Sequence, residues 1–235
     1  MKKYLIVLAL FILGILFLQF GRTIYITIIN KMKGKETVTS VINRLESEVR
    51  TRLAPDLKAA GFDSDFPEQL ILLAFKEERR LEVYARLRNE SKLLKSYLFT
   101  AFSGQLGPKI QEGDKQIPEG IYKVEYLNPN SAFYLSIKVS YPNDFDKSKS
   151  VFTDVTDMGG DIFIHGKAAT VGCIPIGDEA IEEVFLLVQK AIQNEVNIII
   201  APRDFRANPT YPKVEGIDWE VELYNSLNQE LKKLK

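Results

Sequence analysis

Ile162-Phe163-Ile164-His165-Gly166-Lys167-Ala168-Ala169-Thr170-Val171-Gly172-Cys173-Ile174-Pro175 carries the only histidine and the only cysteine of the 235 residues, eight positions apart. A thiol is a good nucleophile only as thiolate, and an imidazole that takes its proton is the usual activator. Proximity in sequence does not by itself make such a pair, because lone cysteines are mostly small buried hydrophobes and catalytic pairs are made in space. The flanking residues supply a frame. Ile162-Phe163-Ile164 reads as a short buried strand, and Gly166 and Gly172 permit tight turns and close approach of a ligand.

Ile162 to Gly166 and Thr170 to Cys173 resemble, residue for residue, the signature of the L,D-transpeptidase catalytic domain family (YkuD-type fold), an Ile-x-Ile-His-Gly strand end followed by Ser/Thr-x-Gly-Cys. Further anchors follow in the family's order: Leu70 to Thr100, Ser103-Gly104, Gly107-Pro108-Lys109, Gly113-Asp114 and Ile117-Pro118-Glu119-Gly120-Ile121-Tyr122. Phe133-Tyr134-Leu135-Ser136 and Tyr141-Pro142-Asn143 are similar to one branch, the YafK-like proteins, which have a short connection between histidine and cysteine. The likeness extends over about residues 68 to 215. Two positions depart from it: many members have histidine where this chain has Val171 and arginine where it has Pro175, so whatever those side chains do elsewhere is not carried over.

The resemblance implies an α+β fold with a β-rich catalytic domain and flanking helices. It also implies acyl transfer on peptidoglycan stem peptides with a diamino acid at the third position, for cross-linking or for attachment of a protein to the wall. Cys173 would attack the carbonyl on the L-configured centre, His165 would take and return the proton, and the Gly166 carbonyl would fix the imidazole tautomer. Backbone N–H groups at Gly172 and Cys173 are the natural oxyanion donors, since a residue without a side chain lets the oxyanion approach. Thr170 is a candidate to assist or to shape the turn. Arg203 and Arg206 are candidates for a substrate carboxylate because the guanidinium fork suits one. No cofactor is expected. One alternative is a hydrolase of the same bonds, including release of a wall-linked protein. Another, of a different class, is an inactive wall-binding protein.

Met1-Lys2-Lys3 precedes seventeen residues, Tyr4 to Phe20, that contain no charge. At about 1.5 Å per residue they nearly cross a hydrocarbon core of about 30 Å, and no small-x-small cleavage site follows. An uncleaved anchor through residues 4–20 is expected, with the amino terminus inside and the remainder extracytoplasmic, on the periplasmic or cell-wall side. A single cysteine cannot form an internal disulfide, so a thiol outside the cytoplasm is conspicuous. The 31 basic and 31 acidic side chains give no global field to attract nucleic acid. One histidine and one cysteine fall short of a zinc ligand set, so no metal is expected either.

The chain therefore reads as a signal-anchor over 1–21, a membrane-proximal helical segment over 22–66, a catalytic domain over 67–214 and a packing helix over 215–235. Val41, Leu45, Val49 and Leu53 recur every four residues on one helical face, which Pro55 should end or kink. Residues 70–100 favour helix by propensity, yet Leu81, Val83 and Ala85 alternate with polar neighbours and Arg88-Asn89-Glu90-Ser91 can turn. The resemblance decides for a hairpin. Ile121 to Tyr126 and Ala132 to Val139 read as strands separated by a turn at Asn128-Pro129-Asn130. Gly177-Asp178 opens a helix whose buried face is Ile181, Val184, Phe185, Val188 and Ile192. Ile198 to Ile200 is a buried strand, and Trp219, Leu223, Leu227 and Leu231 form the stripe of a closing helix.

Overall fold

In the computed structural model, which describes residues 34–63, 65–88 and 90–234, the stretch of strong helix formers after residue 70 is strand. β1 (Leu70–Phe75), β2 (Arg80–Leu87) and β3 (Glu90–Leu98) form an antiparallel meander, two hairpins where the sequence suggests one. Alternation outweighs propensity because Leu81, Val83 and Ala85 are 0% exposed, and a strand's register is set by what it buries.

β4 (Gly120–Ser131) pairs with β5 (Tyr134–Val139), and the chain reverses at Ala132-Phe133 rather than at Asn128-Pro129-Asn130. The Asn128 side chain accepts from the Asn130 N–H, so this local turn chemistry produces a register irregularity between Asn128 and Ser131 instead of the hairpin loop. β6 (Phe163–His165), β7 (Ile174–Pro175) and β8 (Asn197–Ala201) complete one eight-stranded sheet in the order β3-β2-β1-β8-β4-β5-β6-β7. The pairs β1–β8 and β6–β7 are parallel and the others antiparallel.

The central strands are apolar throughout because both of their faces are covered. Leu72, Ala74, Ile198 and Ile200 point into one core, packed under α1 (Val38–Ala59) and α3 (Asp178–Ala191), while Leu73, Phe75, Ile199 and Ala201 point into a second. The second core is closed by Leu223, Tyr224, Leu227 and Leu231 of α4 (Glu220–Lys232). A short α2 (Asp144–Lys149) follows β5 and starts with a capping box between Asn143 and Asp146.

α1 buries Val41, Leu45, Val49 and Leu53 as the four-residue spacing requires, and adds Ile42 and Leu57. Pro55 does not end it. The helix continues to Ala59 because Leu53 and Leu57 are both held in the core, which offsets the one backbone hydrogen bond that proline cannot make. Arg52 ties α1 to α3 through Glu182 at 2.7 Å and Glu183 at 3.1 Å. Residues 38–235 form one compact unit, so this helix belongs with the sheet. The expected anchor over residues 1–21 lies outside the described residues, among which no helix is long and apolar enough to cross a membrane.

Candidate active site

On β5, β6 and β7 the residues Ile137, Ile164 and Ile174 point into the first core, so their neighbours point to the opposite face. His165 pairs there with Ser136 on β5 and with Pro175 on β7. Cys173 lies two residues before Pro175, and strand alternation therefore turns it to the face of His165. This is how a connection of seven residues returns the thiol to the sheet face of the imidazole.

The imidazole is pinned at one nitrogen and open at the other. Nδ1 donates to the Gly166 carbonyl at 2.6 Å, which leaves Nε2 as the acceptor nitrogen; it is buried and has no partner among the described residues. Phe133, 39% exposed, lies over the ring at 4.5 Å between centroids and an interplanar angle of 31°. Gly166 cannot carry a side chain, because a Cβ would stand 2.6 Å from Asp178 Oδ1 and 2.8 Å from the Phe133 carbonyl. Cys173 Sγ, partly accessible, donates to the Asp161 carbonyl at 3.5 Å, so the resting thiol is directed away from Nε2.

The turn before the thiol is held by two hydroxyls. Gly172 N–H donates to Ser103 Oγ and Cys173 N–H to Thr170 Oγ1, both at 2.8 Å. Thr170 Oγ1 also donates to the Cys173 carbonyl at 2.7 Å, so this hydroxyl shapes the turn that presents the thiol. The two N–H groups expected as open oxyanion donors are accordingly both occupied at rest. Gly172 has φ 112° and a Cβ there would stand 2.9 Å from the Gln116 carbonyl, so only glycine fits.

Arg203 and Arg206 are engaged elsewhere. Arg206 donates to Asp204, Glu82 and Tyr84, and Arg203 to Glu77 and the Thr210 carbonyl; none of these partners belongs to segment 161–178. The Arg206 fork is satisfied by the protein's own carboxylates, whereas Arg203 meets one carboxylate, Glu77, and its buried Nε has no partner among the described residues. Among the described residues no group of three His, Cys, Asp or Glu side chains is arranged to hold a metal ion.

Four residues of this region escaped sequence reasoning in their roles: Ser103, Phe133, Lys138 and Asp161. Ser103 and Phe133 stand in segments quoted for their resemblance, but nothing in the sequence says that one caps Gly172 and the other covers His165. Lys138 reads as an outward residue of a strand, yet it is only 7% exposed. Its ammonium donates to the Gly160 carbonyl and lies 3.4 Å from the Asp161 carboxylate.

Burial pushes the Cys173 thiol above the usual cysteine range, an effect that the Phe163 backbone N–H and then the Lys138 and Lys109 ammoniums partly oppose. Burial also lowers the His165 imidazole below its usual value of about 6.5, against the Gly166 hydrogen bond that raises it. Both directions favour the neutral pair at rest. Because the imidazole sheds its proton at lower pH than usual, activity that uses it as base should rise with pH through a midpoint below about 6.5 and level off above it. Steady-state rates on a soluble stem peptide between pH 4 and 9 check this. A single limb centred above pH 7 would contradict the depressed imidazole.

Residues 70–199 match the family model of the L,D-transpeptidase catalytic domain. "Putative L,D-transpeptidase YafK" of Escherichia coli (strain K12) is 35% identical over 133 residues, 54% of this chain and 52% of the relative. The match thus spans about half the length of that protein. Among solved structures, the helical cell shape determining protein Pgp2 from Campylobacter jejuni is 18% identical, with a TM-score of 0.48 and 77% of each chain covered. Bd1075 of Bdellovibrio bacteriovorus is 20% identical with a TM-score of 0.43, over 72% of this chain and 55% of that one.

Proposed function

The chain belongs to the L,D-transpeptidase catalytic domain family, and from that premise we propose that it catalyses cysteine-dependent acyl transfer on peptidoglycan stem peptides. The observation that carries this reading is the placement of Cys173 and His165 on one sheet face, with Nδ1 pinned by Gly166 and Nε2 left unpartnered. The thiol leaves the Asp161 carbonyl and gives its proton to Nε2 as Sγ bonds to the carbonyl carbon of the stem peptide. The oxyanion then draws the Gly172 and Cys173 N–H groups from the Ser103 and Thr170 hydroxyls. Collapse breaks the C–N bond, Nε2–H protonates the departing amine, and a thioester remains. An incoming amine resolves it, losing its proton to the same nitrogen.

Resolution by water is the second reading, which would shorten stems or release a wall-linked protein. It is favoured by the exposure of the short 166–172 connection, where Val171 is 71% exposed. We place the site outside the cytoplasmic membrane, with residues 4–20 as its tether, because that is where this substrate is found and those residues are uncharged and nearly long enough to span.

Incubating muropeptides with the protein, with and without an added D-amino acid, tests the reading. Exchange of the amino acid into the stem is the expected result and identifies a transferase. Shortened stems or a freed protein, with no exchange at any acceptor concentration, would identify a hydrolase. Unaltered muropeptides would overturn both and leave a wall-binding protein.

A further inference from the structure

We propose that Lys138 is the carboxylate receptor of this site: its ammonium takes a carboxylate of the stem peptide next to the carbonyl that Cys173 attacks. The proposal rests on the acyl-transfer reading above and names the charge that its substrate must carry.

The placement follows from the sheet. Lys138 pairs with Tyr126 on β4 and with Phe163 on β6, and Phe163 shares the face of His165 and Cys173. A row Tyr126, Lys138, Phe163 thus crosses three strands and ends beside the thiol. Its ammonium and the thiol hold adjacent carbonyls, those of Gly160 and Asp161, so the two groups are a single residue of backbone apart. An aromatic ring lies beside the cation: Lys138 Nζ is 5.0 Å from the Phe163 centroid, and Tyr126 in turn meets Phe163 edge-on at 6.3 Å. With little water around it, the ammonium attracts an anion more strongly than a surface lysine does.

The ammonium has capacity to spare. It carries three N–H donors, of which one goes to Gly160 and one to Asp161. The Asp161 carboxylate is 3.4 Å away with its own side chain 96% exposed, so water competes for the anion and the contact is loose. A substrate carboxylate can displace it at small cost. Lys109, the other buried ammonium that acts on the thiol, is held at 2.7 Å by Asp114 and at 2.6 Å by the Gln111 carbonyl, Arg206 is held by Asp204 and Glu82, and Arg203 is paired with Glu77. Lys138 is the cation of this face that lacks a tightly held carboxylate among the described residues.

Alkylation of Cys173 in the full-length protein tests the receptor without any peptidoglycan. Iodoacetate and iodoacetamide both place a CH₂ on Sγ with loss of iodide and differ in carrying a carboxylate or its neutral amide. Their rate ratio, measured beside the same ratio for glutathione, isolates recognition of the charge from the reactivity of the thiol. In the parent protein iodoacetate should be favoured at least about tenfold over the glutathione ratio, the factor that one modest charged hydrogen bond supports. Lys138→Met should abolish the preference, and Lys138→Arg should retain it. A parent ratio no higher than that of glutathione overturns the proposal, as does a ratio that Lys138→Met leaves unchanged; the first needs no variant to fold. Tetrapeptides amidated either at the C-terminus or at the side-chain carboxylate of the third residue then show which carboxylate is read, by a raised KM for one of them. If the alkylation preference is present and no stem peptide is processed, the receptor stands and acyl transfer falls.

Discussion

Cys173→Ala is expected to lower turnover of stem peptides below detection, a loss on the order of 10⁶-fold if removal of this nucleophile resembles removal of the nucleophile in other acyl-transfer enzymes. The fold should be unaffected. The thiol is partly accessible and donates one long hydrogen bond, 3.5 Å to the Asp161 carbonyl, so its loss leaves no sizeable cavity and costs about 1 kcal/mol. Paired measurements of stem-peptide conversion by mass spectrometry and of thermal unfolding check both halves. His165→Ala should be nearly as damaging to turnover, but it also removes a buried ring stacked on Phe133 and so should lower stability, which separates the two positions. A Cys173→Ala protein that still processed stems at the parent rate would sink the assignment of the nucleophile.

The part of the site that was legible in the sequence is the part whose chemistry needs rare residue types at short spacing. His165, Gly166, Gly172 and Cys173 lie within nine residues, and the strand that aligns them is only three residues long. Lys138 was not legible, because alternation in β5 makes it look like any solvent-facing residue and only its pairing with Phe163 puts it beside the thiol. Arg203 and Arg206 show the reverse case. A guanidinium suits a carboxylate in general; Glu77 and Glu82 reach these two from distant sequence, while Asp204 is a neighbour in sequence that the fold turns onto Arg206. The same holds for the fold. The stripes of α1, α3 and α4 are visible as periodicities, whereas the continuation of β4 through Pro129 and of α1 through Pro55 depends on partners that a local reading does not supply.

Glu119→Gln and Lys76→Met are each expected to destabilise the protein by about 3–5 kcal/mol, because each leaves one charge of a fully buried pair without its partner. Lys76 and Glu119 meet at 2.9 Å with neither side chain exposed. The ammonium also donates to the carbonyls of Gly107 and Ile117, and the carboxylate accepts from the Gly107 N–H and from Tyr224 on α4. Desolvation lowers the pKa of Lys76, so the charge is retained only through these contacts. Replacing both residues by apolar ones of similar size should cost less than the sum of the single changes, since no uncompensated charge then remains. Urea unfolding of the two single variants and the double variant measures this; single-variant losses under about 1 kcal/mol would show that the pair contributes little. The consequence reaches the active site. This network anchors both ends of the 107–119 segment, whose Gln116 carbonyl packs on Gly172, while Ser103 just before it holds the Gly172 N–H. Loosening that segment removes the support of the turn that presents Cys173, so the single variants should lose activity at temperatures below their global unfolding.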